Sequence, residues 1–369
     1  MRIILATPIY PPAIGGPAEY VKKLAEGLRR EGIDAAVLSY GEGDKAPSPQ
    51  PRNPRSLGLR AARGEGVIFV RKSRLKHFIY FIKLLALSKD ADIVYAFDPL
   101  AAGLPAYLAA KLRGIKFVMR VGGDYLWERD VEAGRAWTTL RDYYKSGFWK
   151  KHKIVSFLLK RIFAGVDQFI FTTDFLAEIY KKVFKISGKI EVIPNPFAVP
   201  AAREVARENK IIFAGRFIKL KNLDNLIKVF KEIKTDCRLI LIGDGPEKNK
   251  LELLAKDDNR IVVESPLPHD KLMWKVATAR ACILPSLSEA SPNFALECLS
   301  AGTPILLTRE NGLDLNLPEN RLFNPLDNDD LKQKLTAIID NPVFVWDGNL
   351  LKTRDWEGVI GAHLDVFKK

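Results

Sequence analysis

Two carboxylates stand eight residues apart in the stretch SEASPNFALECLSAG, Glu289 and Glu297. Ser291 can cap a helix, Pro292 suits its first turn, Gly302 suits its exit and Pro304 bars its continuation, so a short helix is predicted over 292–301. Glu297 then falls in mid-helix among Phe294, Ala295, Leu296, Cys298 and Leu299, surroundings that disfavour an ionised carboxylate without a partner. Glu289 falls just before the helix, at the positive end, where free backbone N–H groups also make an anion site. A capping acid plus a structural ion pair explains both residues as well as a binding site does. The rest of the chain has to decide.

Other stretches carry chemistry of the same kind. In TPIYPPAIGGPAEY, Gly15 and Gly16 precede a helix opening at Pro17, so bare backbone can approach a phosphate or a sugar. In AGRFIKLKNLDNLIKVF, Arg216 and Lys221 have the reach to neutralise a diphosphate, and Lys219 competes with Lys221 for the role. Gly243 and Gly245 follow a strand in LIGDGPEKNK, but a third glycine at the dinucleotide spacing falls on Lys248, and the first glycine pair fails that fingerprint too. Each of these also has a plain reading, as a turn or a solvated charge. Asp90 with Asp92 and Asp327 with Asp329 are the candidate D-x-D pairs. The first precedes a strand and the second reads as a helix cap, so no metal is expected. The three cysteines, Cys237, Cys282 and Cys298, are far apart in apolar runs and read as reduced core thiols.

The elements that must position these residues alternate. Short β-branched runs (RIILAT, AAVLSY, GVIFVR, DIVYAF, KFVMRV, QFIFTT and IEVIPN, then KIIFAG, RLILIG, RIVVES, ACILPS and TPILLT) are separated by amphipathic helical stretches, which is the signature of parallel α/β sheets. The boundaries expected are a first domain over 1–195, a linker over 196–209, a second domain over 210–354 and a final helix over 355–369. That helix carries Trp356, Val359, Ile360, Leu364 and Phe367 on one stripe and needs a surface to cover. GEGDKAPSPQPRNPRSLG is expected to be a mobile loop. Two doubly wound halves place a cleft between the carboxyl ends of two sheets, where ligands bind in such folds.

The 369 residues, 47% hydrophobic and 28% charged, describe a globular protein of two ordinary domains. Its apolar stretches are too short or too interrupted to span a bilayer, and the first strand starts at once, so a cytoplasmic protein is expected. The net charge of +14 lies wholly in residues 1–200, with 33 Lys+Arg against 19 Asp+Glu, while the remainder holds 25 of each. The first half therefore faces something anionic. Nothing in it reads as a groove-reading module for nucleic acid, so that partner class is set aside.

Together PPAIGGPAEYVKKLAEGL, VIPNPF, FAGRFIKLKN, LIGDGP, LPSLSEASPNFALECLSAGTPILLT and ENGL resemble, nearly end to end and in order, the retaining nucleotide-sugar glycosyltransferases of family four, with the GT-B fold and its E-x7-E motif. The resemblance implies that Glu297 holds the donor ribose diol, that Glu289 lies near the transferred sugar, and that Ser291, Pro292, Asn293 and Phe294 receive the diphosphate or sugar hydroxyls. It implies that Arg216 and Lys221 stabilise the leaving diphosphate without metal or other cofactor, and that Gly16, with Gly243 and Gly245, belongs to the donor site. Many members carry a histidine after the strand matching KFVMRV. Here GGDYLWERD follows, and Asp124 is either a partial substitute, such as a base for the acceptor hydroxyl, or a helix cap. The expected activity is sugar transfer from a nucleotide sugar to a glycan or lipid-linked acceptor. A nucleotide-sugar 2-epimerase on the same fold is the alternative. VRKSRLKHFIYFIKLLALSK and YYKSGFWKKHKIVSFLLKRIF mix cations with aromatics, and an anionic membrane surface is their expected partner.

Overall fold

The computed structural model describes residues 1–13, 16–41, 66–71, 73–197, 206–313, 315, 317–342 and 355–368. Gly15, most of GEGDKAPSPQPRNPRSLG and most of the linker segment lie outside them. The first half runs β1 (Arg2–Thr7), α1 (Gly16–Arg30), β2 (Asp34–Tyr40), β3 (Val67–Val70), α2 (Lys76–Leu87), β4 (Ile93–Ala96), α3 (Gly103–Arg113), β5 (Lys116–Val121), α4 (Tyr125–Glu132), α5 (Leu140–Lys145), α6 (Lys153–Ala164), β6 (Gln168–Phe171), α7 (Asp174–Phe184) and β7 (Lys189–Val192). The second runs β8 (Glu208–Arg216), α8 (Leu223–Lys231), β9 (Arg238–Asp244), α9 (Lys248–Ala255), β10 (Ile261–Glu264), α10 (His269–Ala277), β11 (Ala279–Leu284), α11 (Asn293–Ser300), β12 (Ile305–Thr308), β13 (Leu322–Phe323), α12 (Asn328–Asp340) and α13 (Trp356–Lys368).

All pairings are parallel. The first sheet has the order β3-β2-β1-β4-β5-β6-β7 and the second β10-β9-β8-β11-β12-β13. Each order reverses once, between β1 and β4 and between β8 and β11, and those two reversals open crevices at the carboxyl ends of the strands. Central strands explain why the sequence reads so plainly: every residue of β4 and of β6 is buried, as a strand covered on both faces requires.

The first sheet has α2 to α7 on one side and α1 with α13 on the other. Helix α13 follows the second sheet in the chain yet packs beneath the first, burying Val359, Ile360, Val366 and Phe367 in the cluster that holds Leu24 and Leu28. Gly27 makes room for it, since a Cβ there would stand 2.1 Å from Ile360 Cδ1. His363 is buried beside it, its Nδ1 donating to Val359 O at 2.8 Å and its Nε2 meeting Tyr95 Oη at 3.1 Å. The three cysteines are buried free thiols. Asp327 caps α12, accepting from Asp329 N and Asp330 N, and Asp92 accepts from Arg2 N, so both D-x-D pairs have structural partners.

Candidate active site between the two sheets

Strand β8 ends at Arg216, whose side chain is exposed at the carboxyl end of the sheet. The chain then makes the tight turn Lys219–Lys221, and Asn222, at φ 55°, reverses it into α8. This geometry separates the two competing lysines. Lys221 Nζ lies 2.5 Å from Glu289 Oε1, the same oxygen that accepts the Ser286 hydroxyl. Lys219 points instead toward the first half, its Nζ 3.6 Å from where a Cβ on Gly134 would stand.

Glu289 is 7% exposed, and its backbone is fixed by Glu289 N donating to Glu310 O and Gly312 N donating to Glu289 O, both at 2.8 Å. The loop carrying it leads into α11, which begins at Asn293, one residue later than expected. The expectation that Ser291 caps this helix is corrected. No side chain caps it, because the Ser291 hydroxyl accepts from Asn195 Nδ2 at 2.9 Å, and the same amide donates to Asn293 Oδ1 at 2.8 Å. Asn195 is itself held by Arg120, whose guanidinium donates to Asn195 Oδ1 and stacks on Tyr20. Pro292 occupies the cap position, and the Phe294 ring turns into the core beside Phe213. Glu297 lies one turn into α11 with its side chain 35% exposed, its Oε1 3.9 Å from His269 Nδ1. Burial raises the Glu297 pKa above the ordinary carboxylate value, with His269 opposing. It is the half-buried carboxylate in search of donors that its sequence setting implied.

Gly16 opens α1 on the opposite wall. A Cβ added there would meet Asn293 Nδ2 at 3.7 Å, an ordinary contact, so the amino ends of α1 and α11 face each other across the cleft. The other two glycines answer to their own backbone. A Cβ on Gly243 would stand 1.9 Å from Gly215 O, and one on Gly245, at φ +153°, 2.4 Å from Phe217 O. Their first requirement is the close approach of the loops after β8 and β9.

Asp124 takes the capping alternative. Its Oδ1 accepts from Trp127 N, its Oδ2 accepts from the Tyr144 and Tyr180 hydroxyls, and the side chain is buried. A base for an acceptor hydroxyl must reach it, and this carboxylate is closed off by its own donors. One turn on, Glu128 faces the cleft, a residue that the sequence reading passed over. Its Oε1 accepts from Asp124 N at 3.2 Å. Burial and then the Asp124 charge push its pKa up to about 7, against the pull of Lys221 and Arg216. One further turn along α4, Glu132 accepts from Lys219 N and Leu220 N at 3.2 and 2.9 Å. The first half therefore fastens the turn that carries Lys221. Leu140 N donating to Ser288 Oγ and the Thr173 hydroxyl donating to Ala290 O tie down the loop that carries Glu289.

The family described as Glycosyltransferase Family 4 matches residues 14–199, and that described as Glycosyl transferases group 1 matches residues 208–341. The chain is a family 4 glycosyltransferase. Among relatives of this glycosyltransferase, the glycogen synthase of Mycobacterium tuberculosis is 24% identical over the whole chain and 94% of its own length. The sulfoquinovosyl transferase of Arabidopsis thaliana is 32% identical over 135 residues, which are 35% of this chain and 26% of that protein. Among solved structures, sucrose-phosphate synthase of Thermosynechococcus elongatus superposes with a TM-score of 0.73 at 17% identity, covering 100% of this chain and 98% of the other. The Anabaena protein HepE in complex with UDP-glucose does so with 0.67 at 14%, covering 100% and 99%. At such identities the structures share the fold, and the two-sheet enzyme is a GT-B glycosyltransferase.

Proposed function

We propose that this glycosyltransferase moves a sugar from a nucleoside-diphosphate sugar to an acceptor hydroxyl with retention at the anomeric carbon, and without a metal. The observation that carries the reading is the Lys221–Glu289 contact set beside the amino end of α11, with Glu297 short of donors one turn farther on. A ribose diol supplies two neutral O–H donors, which suit a half-buried carboxylate of raised pKa. The diphosphate would meet the Lys221 ammonium, the Arg216 guanidinium and the free N–H groups opening α11. In the step itself the acceptor oxygen bonds to the anomeric carbon as the bond from that carbon to the diphosphate oxygen breaks. The acceptor proton passes to the departing phosphate on the same face. HepE was solved with UDP-glucose, which supports a nucleotide sugar as the donor class. Nothing in the two family matches favours the epimerase alternative.

The acceptor side is proposed to lie at an anionic membrane surface, inside the cell, with a lipid-linked or envelope glycan as the acceptor. Helix α2 lies against α3, with Arg113 donating to Leu85 O, and α3 lies against α6. These neighbours expose Phe78 at 62%, Leu112 at 66%, Ile154 at 77% and Phe157 at 56%, together with Lys111, Lys153 and Arg161, and Arg74 is exposed just before α2. No helix among the described residues is long and apolar enough to cross a membrane, so insertion would stop at the interface. The test is a panel of UDP, GDP and ADP sugars in thermal shift, followed by NMR of the product's anomeric configuration. A stabilising donor and a retained configuration support the reading. An inverted product, or activity abolished by EDTA, overturns it.

A further inference from the structure

One cavity lies away from the cleft. It lies at the opposite, amino ends of β5, β6 and β7, between α3 and α6, with a volume of about 790 Å³. Four cations line it: Lys111 from α3, Lys116 at the start of β5, Arg161 from α6 and Lys189 at the start of β7. The one carboxylate in the wall, Asp167, is engaged, its Oδ2 accepting from Phe117 N at 2.8 Å. None of the four cations has a carboxylate within ion-pair distance among the described residues. The crowding is felt at Lys116, where burial and then the Lys189 ammonium pull the pKa below the ordinary lysine value, with Asp167 opposing. At the floor, Gln168 is 2% exposed and its Oε1 has no hydrogen-bond partner.

Three exposed cations, Lys111, Arg161 and Lys189, with Lys116, whose Nζ already donates to Val366 O at 3.0 Å, stand around one engaged acid and make a local potential that favours an anion. Their reach suits the several oxygens of a phosphate better than a single carboxylate: the guanidinium offers a flat fork and the ammoniums rotatable donors. An amide at the floor can present its N–H₂ to the same group by a half-turn of its terminal torsion. We infer that this cavity is a second, non-catalytic site that binds a phosphate group, at the end of the first sheet turned away from the sugar-transfer cleft. The group is either a free phosphate or diphosphate in solution or the phosphate of a lipid headgroup, since the exposed Leu112 and Phe157 belong to the same two helices.

The site is independent of the donor assignment, and its test uses no sugar transfer. Binding of inorganic pyrophosphate is measured by titration calorimetry at constant ionic strength, and binding of the whole protein to phosphatidylcholine vesicles with and without one-fifth phosphatidic acid by co-sedimentation. Arg161→Ala/Lys189→Ala is the test variant, with circular dichroism to confirm its fold. Lys22→Ala/Lys23→Ala on α1 removes equal charge elsewhere. Pyrophosphate binding weakened about tenfold or more in the test variant alone establishes the site with a soluble ligand. Vesicle binding lost in the test variant alone, with no pyrophosphate affinity in either protein, establishes it with a headgroup. Equal loss in both variants, or no loss in the test variant, overturns the proposal, because the effect is then general charge. Absence of binding to both probes overturns it as well.

Discussion

In the proposed donor site Glu297 and Lys221 divide the work in a way that kinetics can separate. If Glu297 holds the ribose diol, Glu297→Ala weakens nucleotide binding by roughly 1–3 kcal/mol, the cost of charge-assisted hydrogen bonds left unmade. Undiminished nucleotide affinity in calorimetry of a folded variant would remove Glu297 from the site. If Lys221 stabilises the leaving phosphate, its charge matters most as that group departs, so Lys221→Ala lowers kcat by about 10²–10³ with little change in donor KM. A variant that raises KM and spares kcat would place the lysine in ground-state binding instead. Glu128 offers a test of its own. Its carboxyl, facing Asp124, Tyr180, Lys221 and Arg216, has its pKa raised from 4.5 to about 7. The folded state therefore holds a proton that the unfolded state has lost, and this group's contribution to stability is full below about 4.5 and fades as pH rises through 7. Glu128→Gln should flatten that part of the melting-temperature profile. A profile unchanged between wild type and variant would show that the carboxyl titrates normally. Glu289 and Glu297 were legible because a local helix pattern and its breakers surround them. Glu128 was not, because its neighbours Lys221 and Arg216 lie some ninety residues away and meet it only once both sheets have formed. Ser291 was misread for the same reason: Asn195, ninety-six positions earlier, claims its hydroxyl.

Helix α4 acts on the second half through its end. Glu132 supplies two acceptors to the backbone of the 219–221 turn, doing for that turn what a capping side chain does within one helix. Glu132→Ala should therefore lower kcat in the wild-type background and add little to the loss already present in Lys221→Ala, since the two act through one ammonium. Additive losses would mean that Glu132 serves some other end. At the far end of the chain, α13 buries four apolar side chains against α1, each contributing on the order of 1.5–3 kcal/mol relative to exposure. Truncation before Asp355 should lower the melting temperature of the first sheet, and unchanged melting would contradict the packing. His363 adds an acid sensitivity to that contact. Burial, with Arg120 adding to it, lowers its pKa from 6.5 to about 3, so stability is intact above 6.5 and is lost as pH falls toward 3. The stripe on α13 was readable as a face needing a cover, but His363 sits on it because Tyr95 offers a partner, and no local pattern announces that. The two-residue strand β13 escaped the sequence for a simpler reason: Leu322 and Phe323 are too few to set a period.

For the molecule as a whole, the charge excess of the first half and the exposed apolar side chains of α2, α3 and α6 belong to one domain, while Arg216, Lys221, Glu289 and Glu297 of the proposed donor site belong to the other. Recovery with anionic vesicles should thus be high at low salt and fall steeply as salt is added. Equal recovery in the supernatant with neutral and anionic vesicles would return the acceptor surface to solution. The fold at this scale was the most legible part, because buried parallel strands read as apolar runs whatever they later face, as do IVYA of β4 and the FIF of β6.

The chain passes between the two sheets twice, once after β7 and again before α13. A body joined to another at one point can swing, tilt and twist about it; joined at two, it keeps only rotation about the line through both. If each crossing acts as a pivot, the two domains open like a door on two hinges. Opening then becomes a motion with a single coordinate. Gly16 and Asn293 would then part along one arc while the ends of α1 and α11 keep their mutual heading, and would meet again aligned on closing. One distance, followed by a pair of spectroscopic labels on α1 and α11, should describe the entire excursion. A second label pair that varied independently of the first would show that one of the two pins yields.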